Sequence, residues 1–129
     1  MFKIDKKTKT IHVTRGDIGA IEVDINTSED PEVHMPYVFQ PGDVVRFKVF
    51  EQKNVGNIKI KKDVTVAEPT ELVTISLTKN DTKIDGLINK SVKYWYEIEL
   101  NPDTNPQTVV CYDDTGEKLF ILYPEGDDE

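Results

Sequence analysis

Cysteine, histidine and glycine are scarce in this 129-residue chain, and their scarcity closes off several kinds of chemistry. The lone cysteine, Cys111, has no partner for an internal disulfide, so nothing signals an oxidising compartment and Cys111 reads as a small strand residue. One cysteine and two distant histidines, His12 and His34, do not supply a tetrahedral zinc set, and no metal or other cofactor is expected. No cluster of glycines stands between a strand and a long helix, which removes the phosphate-cradling loops. Ser28, Ser76 and Ser91 lack the glycine-flanked setting of a nucleophile elbow, and neither histidine has an acidic orienter identifiable from sequence, so a hydrolytic triad is not expected. Apolar runs are short as well. None approaches the roughly 20 residues needed to span a bilayer, and Met1-Phe2-Lys3-Ile4-Asp5 leads into no apolar signal region, so membrane insertion is not expected and synthesis in a cytoplasm is.

Basic charge is also in deficit. With 24 acidic against 16 basic residues the formal charge is -8, a field that repels phosphate backbones and anionic bilayers. The two basic clusters, Lys6, Lys7 and Lys9 and then Lys59, Lys61 and Lys62, have none of the interleaved aromatics on which bases stack. Nucleic acid is therefore not an expected partner.

What the sequence does have is alternation. Thr10 to Arg15, Ile21 to Ile25, Val44 to Glu51, Ile58 to Val66, Leu72 to Thr78, Val92 to Leu100, Thr108 to Tyr112 and Leu119 to Tyr123 each carry apolar residues at every second position, the period of a half-buried strand. In the densest, Tyr94, Tyr96, Ile98 and Leu100 fall on one face and Trp95, Glu97 and Glu99 on the other. Turn residues separate the segments. Pro41-Gly42-Asp43 is the sharpest break, with proline presetting φ at the second position of a type II turn and glycine accepting positive φ at the third. Arg15-Gly16-Asp17-Ile18-Gly19 reads as a connection between adjacent strands, with both glycines open to positive φ. Asn54-Val55-Gly56-Asn57 returns one strand into the next as a hairpin, and Asp113-Asp114-Thr115-Gly116 does the same near the end. Thr27 to Gln40 is a loop with a short extended piece at Tyr37 to Phe39. Thr78 before Lys79-Asn80-Asp81 is an N-cap signal for a turn or two of connector helix ending near Asp85-Gly86 and crossing between sheets.

About eight strands, one connector helix and no helical cover for a parallel sheet predict an all-β fold. The expected form is an immunoglobulin-like antiparallel β-sandwich, with a jelly roll or small barrel as the second choice, one domain over residues 1–124 with a frayed acidic tail at 125–129. The cysteine and tryptophan framework of antibody domains is absent, so the likeness is architectural.

One candidate recognition surface emerges: Trp95, Glu97 and Glu99 share a strand face, the two carboxylates roughly 7 Å apart. An indole on an otherwise polar face fits an interface anchor. The same trio resembles a sugar platform, although glycosidase carboxylates face each other across a cleft rather than projecting from one strand. Asp113-Asp114-Thr115-Gly116-Glu117 lacks the alternating ligands of a calcium loop and reads as a hairpin turn. Arg15-Gly16-Asp17 spells an integrin tripeptide, which requires an exposed tip on a secreted protein, and it too reads as a turn.

Four segments together resemble a known family. They are Thr14-Arg15-Gly16-Asp17, Phe39-Gln40-Pro41-Gly42-Asp43-Val44-Val45-Arg46-Phe47, Tyr94-Trp95-Tyr96-Glu97-Ile98-Glu99-Leu100 and Lys118-Leu119-Phe120-Ile121-Leu122-Tyr123-Pro124. Their order and wording are similar to short prophage tail or baseplate proteins of Gram-positive gut bacteria, notably the N-terminal domains of phage baseplate upper proteins. The resemblance implies a non-catalytic virion structural role, in which an immunoglobulin-like domain docks to other tail or baseplate proteins as an adaptor and self-associates as a homo-oligomer. It implies synthesis in the bacterial cytoplasm and residence in the virion after assembly. A carbohydrate-binding sandwich using Trp95, Glu97 and Glu99 is the alternative.

Overall fold

The computed structural model describes residues 1–28, 30, 32, 33, 35–52, 56–84, 86, 88–110 and 118–125, without the side chain of Val110. The fold is all-β. Its strands are β1 (Phe2–Ile4), β2 (Ile11–Thr14), β3 (Gly19–Val23), β4 (Val44–Phe50), β5 (Ile58–Thr65), β6 (Val73–Leu77), β7 (Val92–Leu100), β8 (Gln107–Val110) and β9 (Leu119–Tyr123). The larger sheet has seven strands in the order β1-β2-β9-β7-β4-β5, with β8 also paired to β7, and the smaller sheet is β3-β6. Because β4 pairs along Trp95 to Leu100, β8 and β9 share the opposite edge of β7, β8 at Ile98 to Leu100 and β9 at Val92 to Trp95.

Alternation explains which residues are inside. Val45, Phe47 and Val49 of β4, Tyr94, Tyr96 and Ile98 of β7 and Phe120 and Leu122 of β9 point inward, and Ile21, Val23, Val73, Ile75 and Leu77 meet them from the smaller sheet in one core cluster. Phe47 lies at its centre, wholly excluded from solvent and tilted against Tyr96 at 5.7 Å and Phe120 at 6.3 Å between ring centroids. Tyr96 carries a polar tip into this interior. Its hydroxyl donates to the Lys9 carbonyl at 2.5 Å, and burial pushes the phenol up to about 12.

The Pro41-Gly42 turn has the expected form, with Gly42 at φ +95° and the Asp43 amide donating to the Gln40 carbonyl at 3.0 Å. Asp43 then fastens that end of the sandwich. Its carboxylate accepts from Tyr37 Oη at 2.8 Å, the Gln40 amide at 2.9 Å and Asn101 Nδ2 at 3.1 Å, so the start of β4 and the end of β7 are held together. Burial opposes its charge, yet these bonds prevail and keep the Asp43 carboxyl below the usual aspartate value.

Several sequence expectations are corrected. The larger sheet is not purely antiparallel, since β2 and β9 run parallel with Ile11 opposite Phe120 and Thr14 opposite Tyr123. The chain leaves β2 for the other sheet and returns much later, so no hairpin fixes their relative direction. For the same reason Arg15 to Gly19 links strands of different sheets rather than adjacent ones. Gly16 does adopt φ +87°, but Gly19 lies in β3, where its lack of a Cβ makes room for the Phe2 ring. The connector helix is absent among the described residues. Thr78 and Asp81 bond reciprocally, amide to Oδ2 at 2.7 Å and amide to Oγ1 at 3.2 Å, but the chain makes only a turn before moving to the larger sheet. Asn54 and Val55 of the expected hairpin loop, Asp85, Cys111, Tyr112, the segment 113–117 expected as a turn and residues 126–129 of the expected tail lie outside the described residues. Glu125, assigned to that tail, is ion-paired to Arg15.

Candidate functional site

The outward face of the larger sheet carries the sequence-predicted trio, and the antiparallel β4–β7 register decides what each member meets. Arg46 stands opposite Glu99, Lys48 opposite Glu97 and Phe50 opposite Trp95. All six lie on the face opposite the central cluster, in three rungs, although Phe50 is itself buried at 9% exposure.

At the first rung Arg46 grips Asp63 of β5 with two bonds, Nε to Oδ1 at 2.8 Å and Nη2 to Oδ2 at 3.0 Å. Its Nη2 also reaches Asp103 Oδ2 at 3.0 Å. Its hydrogen bonds to Asp63 and then to Asp103 raise the Arg46 pKa further, and the guanidinium holds the Asp63 carboxyl below its ordinary value. At the second rung Lys48 Nζ lies 2.9 Å from Oε1 of both Glu97 and Glu99. Burial works against the ammonium, but the two carboxylates overcome it and its pKa rises above that of an ordinary lysine. Glu97 is 26% and Glu99 18% exposed, so both carboxylates are largely sequestered.

The third rung is apolar. Phe50 and Trp95 meet edge to face, centroids 6.4 Å apart and planes at 77°, the arrangement favoured by ring quadrupoles. Leu119 of β9 stands directly across from Trp95 on the other side. Further along, His12 stacks on Tyr123 with centroids 5.8 Å apart, and His12 Nδ1 shares a 2.8 Å hydrogen bond with the Tyr123 hydroxyl. The face thus grades from a lattice of paired charges with carboxylates in excess to an aromatic and aliphatic patch.

This geometry joins Glu97 and Glu99 to one cation rather than placing them on opposite sides of a substrate. A glycosidase needs two carboxyls flanking a scissile bond, and here both extend from one strand onto the same ammonium. Sequence reasoning identified Trp95, Glu97 and Glu99 but missed Lys48, Arg46 and Phe50. Their signal was available in the matched spacing of Arg46, Lys48 and Phe50 against Glu99, Glu97 and Trp95, which becomes visible once β4 and β7 are taken as antiparallel neighbours.

Other sequence candidates are placed elsewhere. Lys59, Lys61 and Lys62 form no single patch, because alternation turns Lys62 to the opposite face, where it pairs with Asp81 at 3.0 Å. Arg15 of the integrin-like tripeptide is only 9% exposed and paired to Glu125, which is incompatible with a free recognition tip. His34 lies outside the described residues. Among the described residues no three of histidine, cysteine, aspartate and glutamate gather as a metal-holding group. No helix among them is long and apolar enough to cross a membrane. Comparison with protein-family models, with curated protein sequences and with solved structures finds no match for this chain.

Proposed function

We propose that this protein is a non-catalytic structural adaptor of a phage or prophage tail or baseplate, and that it works by protein contacts through the outward face of its larger sheet. The observation that carries the contact reading is the partly exposed Trp95, packed on the buried Phe50 with Leu119 beside it, an apolar anchor at the end of a lattice of paired charges. Tryptophan anchors ringed by polar groups are the pattern of interface hot spots. Lys48 pairs with both glutamates and compensates one of their two charges, so the desolvation penalty of covering them is reduced and the face keeps a negative balance for a partner to complement. The tail assignment rests on the resemblance of the four sequence segments to baseplate upper protein N-terminal domains.

In the same reading the fold is an immunoglobulin-like sandwich. The order β9-β7-β4-β5 follows the G-F-C-C′ order of a variable-type sheet, and β3 and β6 occupy the places of strands B and E. Such a frame presents its G-F-C-C′ face as a broad surface, and the adaptor is expected to self-associate or to bind its neighbours in the particle through that face.

The test is co-expression with the products of the genes on either side, followed by affinity capture of the wild-type protein and of Trp95→Ala. The reading expects a tail-module neighbourhood, a neighbour captured by the wild type and capture lost in Trp95→Ala. No tail genes nearby and no captured neighbour would refute it. Trp95-dependent binding on a glycan array would instead favour the carbohydrate reading.

A further inference from the structure

The smaller sheet is too small to cover its larger partner. Beside β3 the two sheets leave a recess of about 170 Å³, walled on one side by the run Ile21 to Asp24 and on the other by Ile11, Ile98 and Val109 from the larger sheet. It is close to the roughly 150 Å³ of an apolar cavity that accepts benzene, so it has room for one valine-, leucine- or phenyl-sized group.

Alongside the recess runs a strand edge that no other described strand pairs. Over Gly19–Val23, β3 is hydrogen-bonded to β6 alone among the described residues, and that pairing shows no register shift. Edge strands ordinarily discourage further pairing with a proline, a lysine or a bulge, and Gly19-Ala20-Ile21-Glu22-Val23 has none of these. The rim supplies the third observation. Glu22 and Asp24 are exposed beside the recess, neither forms an ion pair among the described residues, and they outnumber the one cation that lines it, Lys9.

We propose that this edge and recess form a receptor for an extended segment of a partner chain. The segment adds as a third strand beside β3, seats an apolar side chain between the sheets and lays basic residues against Glu22 and Asp24. Backbone bonds to β3 supply affinity and the recess supplies selectivity for alternate apolar positions, as in other strand-addition complexes. Unpaired carboxylates at the rim select lysine or arginine over acidic residues. The receptor is separate from the Trp95 face, so loss of either surface leaves the other intact.

Three synthetic heptapeptides test the proposal against the full-length, ¹⁵N-labelled chain. One alternates valine with lysine, one alternates valine with glutamate, and the third is the valine–lysine peptide N-methylated at alternate residues in either register. The first should shift the amide resonances of Ile21 to Asp24, Ile11 and Ile98 and slow amide exchange in β3. The glutamate and N-methylated peptides should bind at least about tenfold more weakly. The double variant Glu22→Lys and Asp24→Lys, whose side chains are exposed and outside the core, should reverse the preference between the lysine and glutamate peptides. Absence of binding by the valine–lysine peptide up to about 1 mM, shifts spread over the acidic surface rather than at β3, or indifference to N-methylation or charge reversal would each overturn the proposal.

Discussion

Replacing Lys48 with methionine isolates the electrostatics of the candidate face. The ammonium is 22% exposed and makes two ion pairs at 2.9 Å, a situation between the exposed pair worth about 0.2–1 kcal/mol and the fully buried one whose rupture costs about 3–5 kcal/mol. Removing the cation also leaves two carboxylates whose Oε1 atoms, both 2.9 Å from the same Nζ, lie within about 6 Å of each other, a repulsion of about 1.4 kcal/mol at an effective dielectric of about 40. Lys48→Met should therefore cost about 2 kcal/mol, read as a lower urea midpoint with an unchanged m-value and a fall in Tm of about 8 °C. Because the folded-state pKa of Lys48 is raised, its contribution is complete below the ordinary lysine value of 10.5 and is lost as pH rises through the higher folded value. On the alkaline side the gap between wild type and Lys48→Met should accordingly close in that range. The triple variant Lys48→Met, Glu97→Gln, Glu99→Gln should recover part of the loss, since no charge is then stranded. A loss below about 0.5 kcal/mol, or a triple variant less stable than the single one, would refute this account of the lattice.

Three further perturbations address other parts of the structure. Gly19→Ala drives a Cβ into the Phe2 ring, so overpacking should cost about 1–3 kcal/mol in chemical denaturation, and Phe2→Ala in the same chain should relieve most of the clash. Tyr96 should ionise only near pH 12 in an ultraviolet titration, later than an ordinary phenol, and Tyr96→Phe should remove that late component and about 1–2 kcal/mol of stability. Asp43, Asp63 and Asp81 all have lowered pKa values, so the stability they contribute is present above the ordinary aspartate value of 3.8 and is lost as pH falls below it; Asp43→Asn should flatten part of that acid limb in urea midpoints measured across the range.

Much of the fold was legible in the sequence because alternation is a local signal. The Val92–Leu100 strand matches its expected bounds, with Tyr94, Tyr96, Ile98 and Leu100 buried as the period requires. The Pro41-Gly42 turn and the β4–β5 hairpin likewise follow from residues close together in the chain. Long-range features were not legible. The parallel β2–β9 pair depends on where the chain returns after visiting the other sheet, which no local pattern records. The short β1 was missed although Asp5 marks its turn, Oδ1 accepting from the Lys7 and Thr8 amides at 2.8 and 3.1 Å; three residues are too few for a periodic signal. Thr78 and Asp81 gave a true capping signal without a helix, since a cap stabilises a first turn but does not supply the residues to propagate it. In the candidate site, alternation placed Trp95, Glu97 and Glu99 on one face, while the lysine that unites the two carboxylates lies on another strand and became evident only through register.

Trp95 is the only tryptophan in the chain, so one spectroscopic label reports on the proposed contact face alone. The most direct measurement is ¹⁹F NMR of the protein carrying 5-fluorotryptophan at that position, titrated with the unlabelled product of a neighbouring tail gene while sedimentation follows complex formation. The adaptor account predicts that the resonance shifts or broadens in step with the complex. A complex that forms while the Trp95 resonance stays unchanged, or no complex with any neighbouring product, would contradict it.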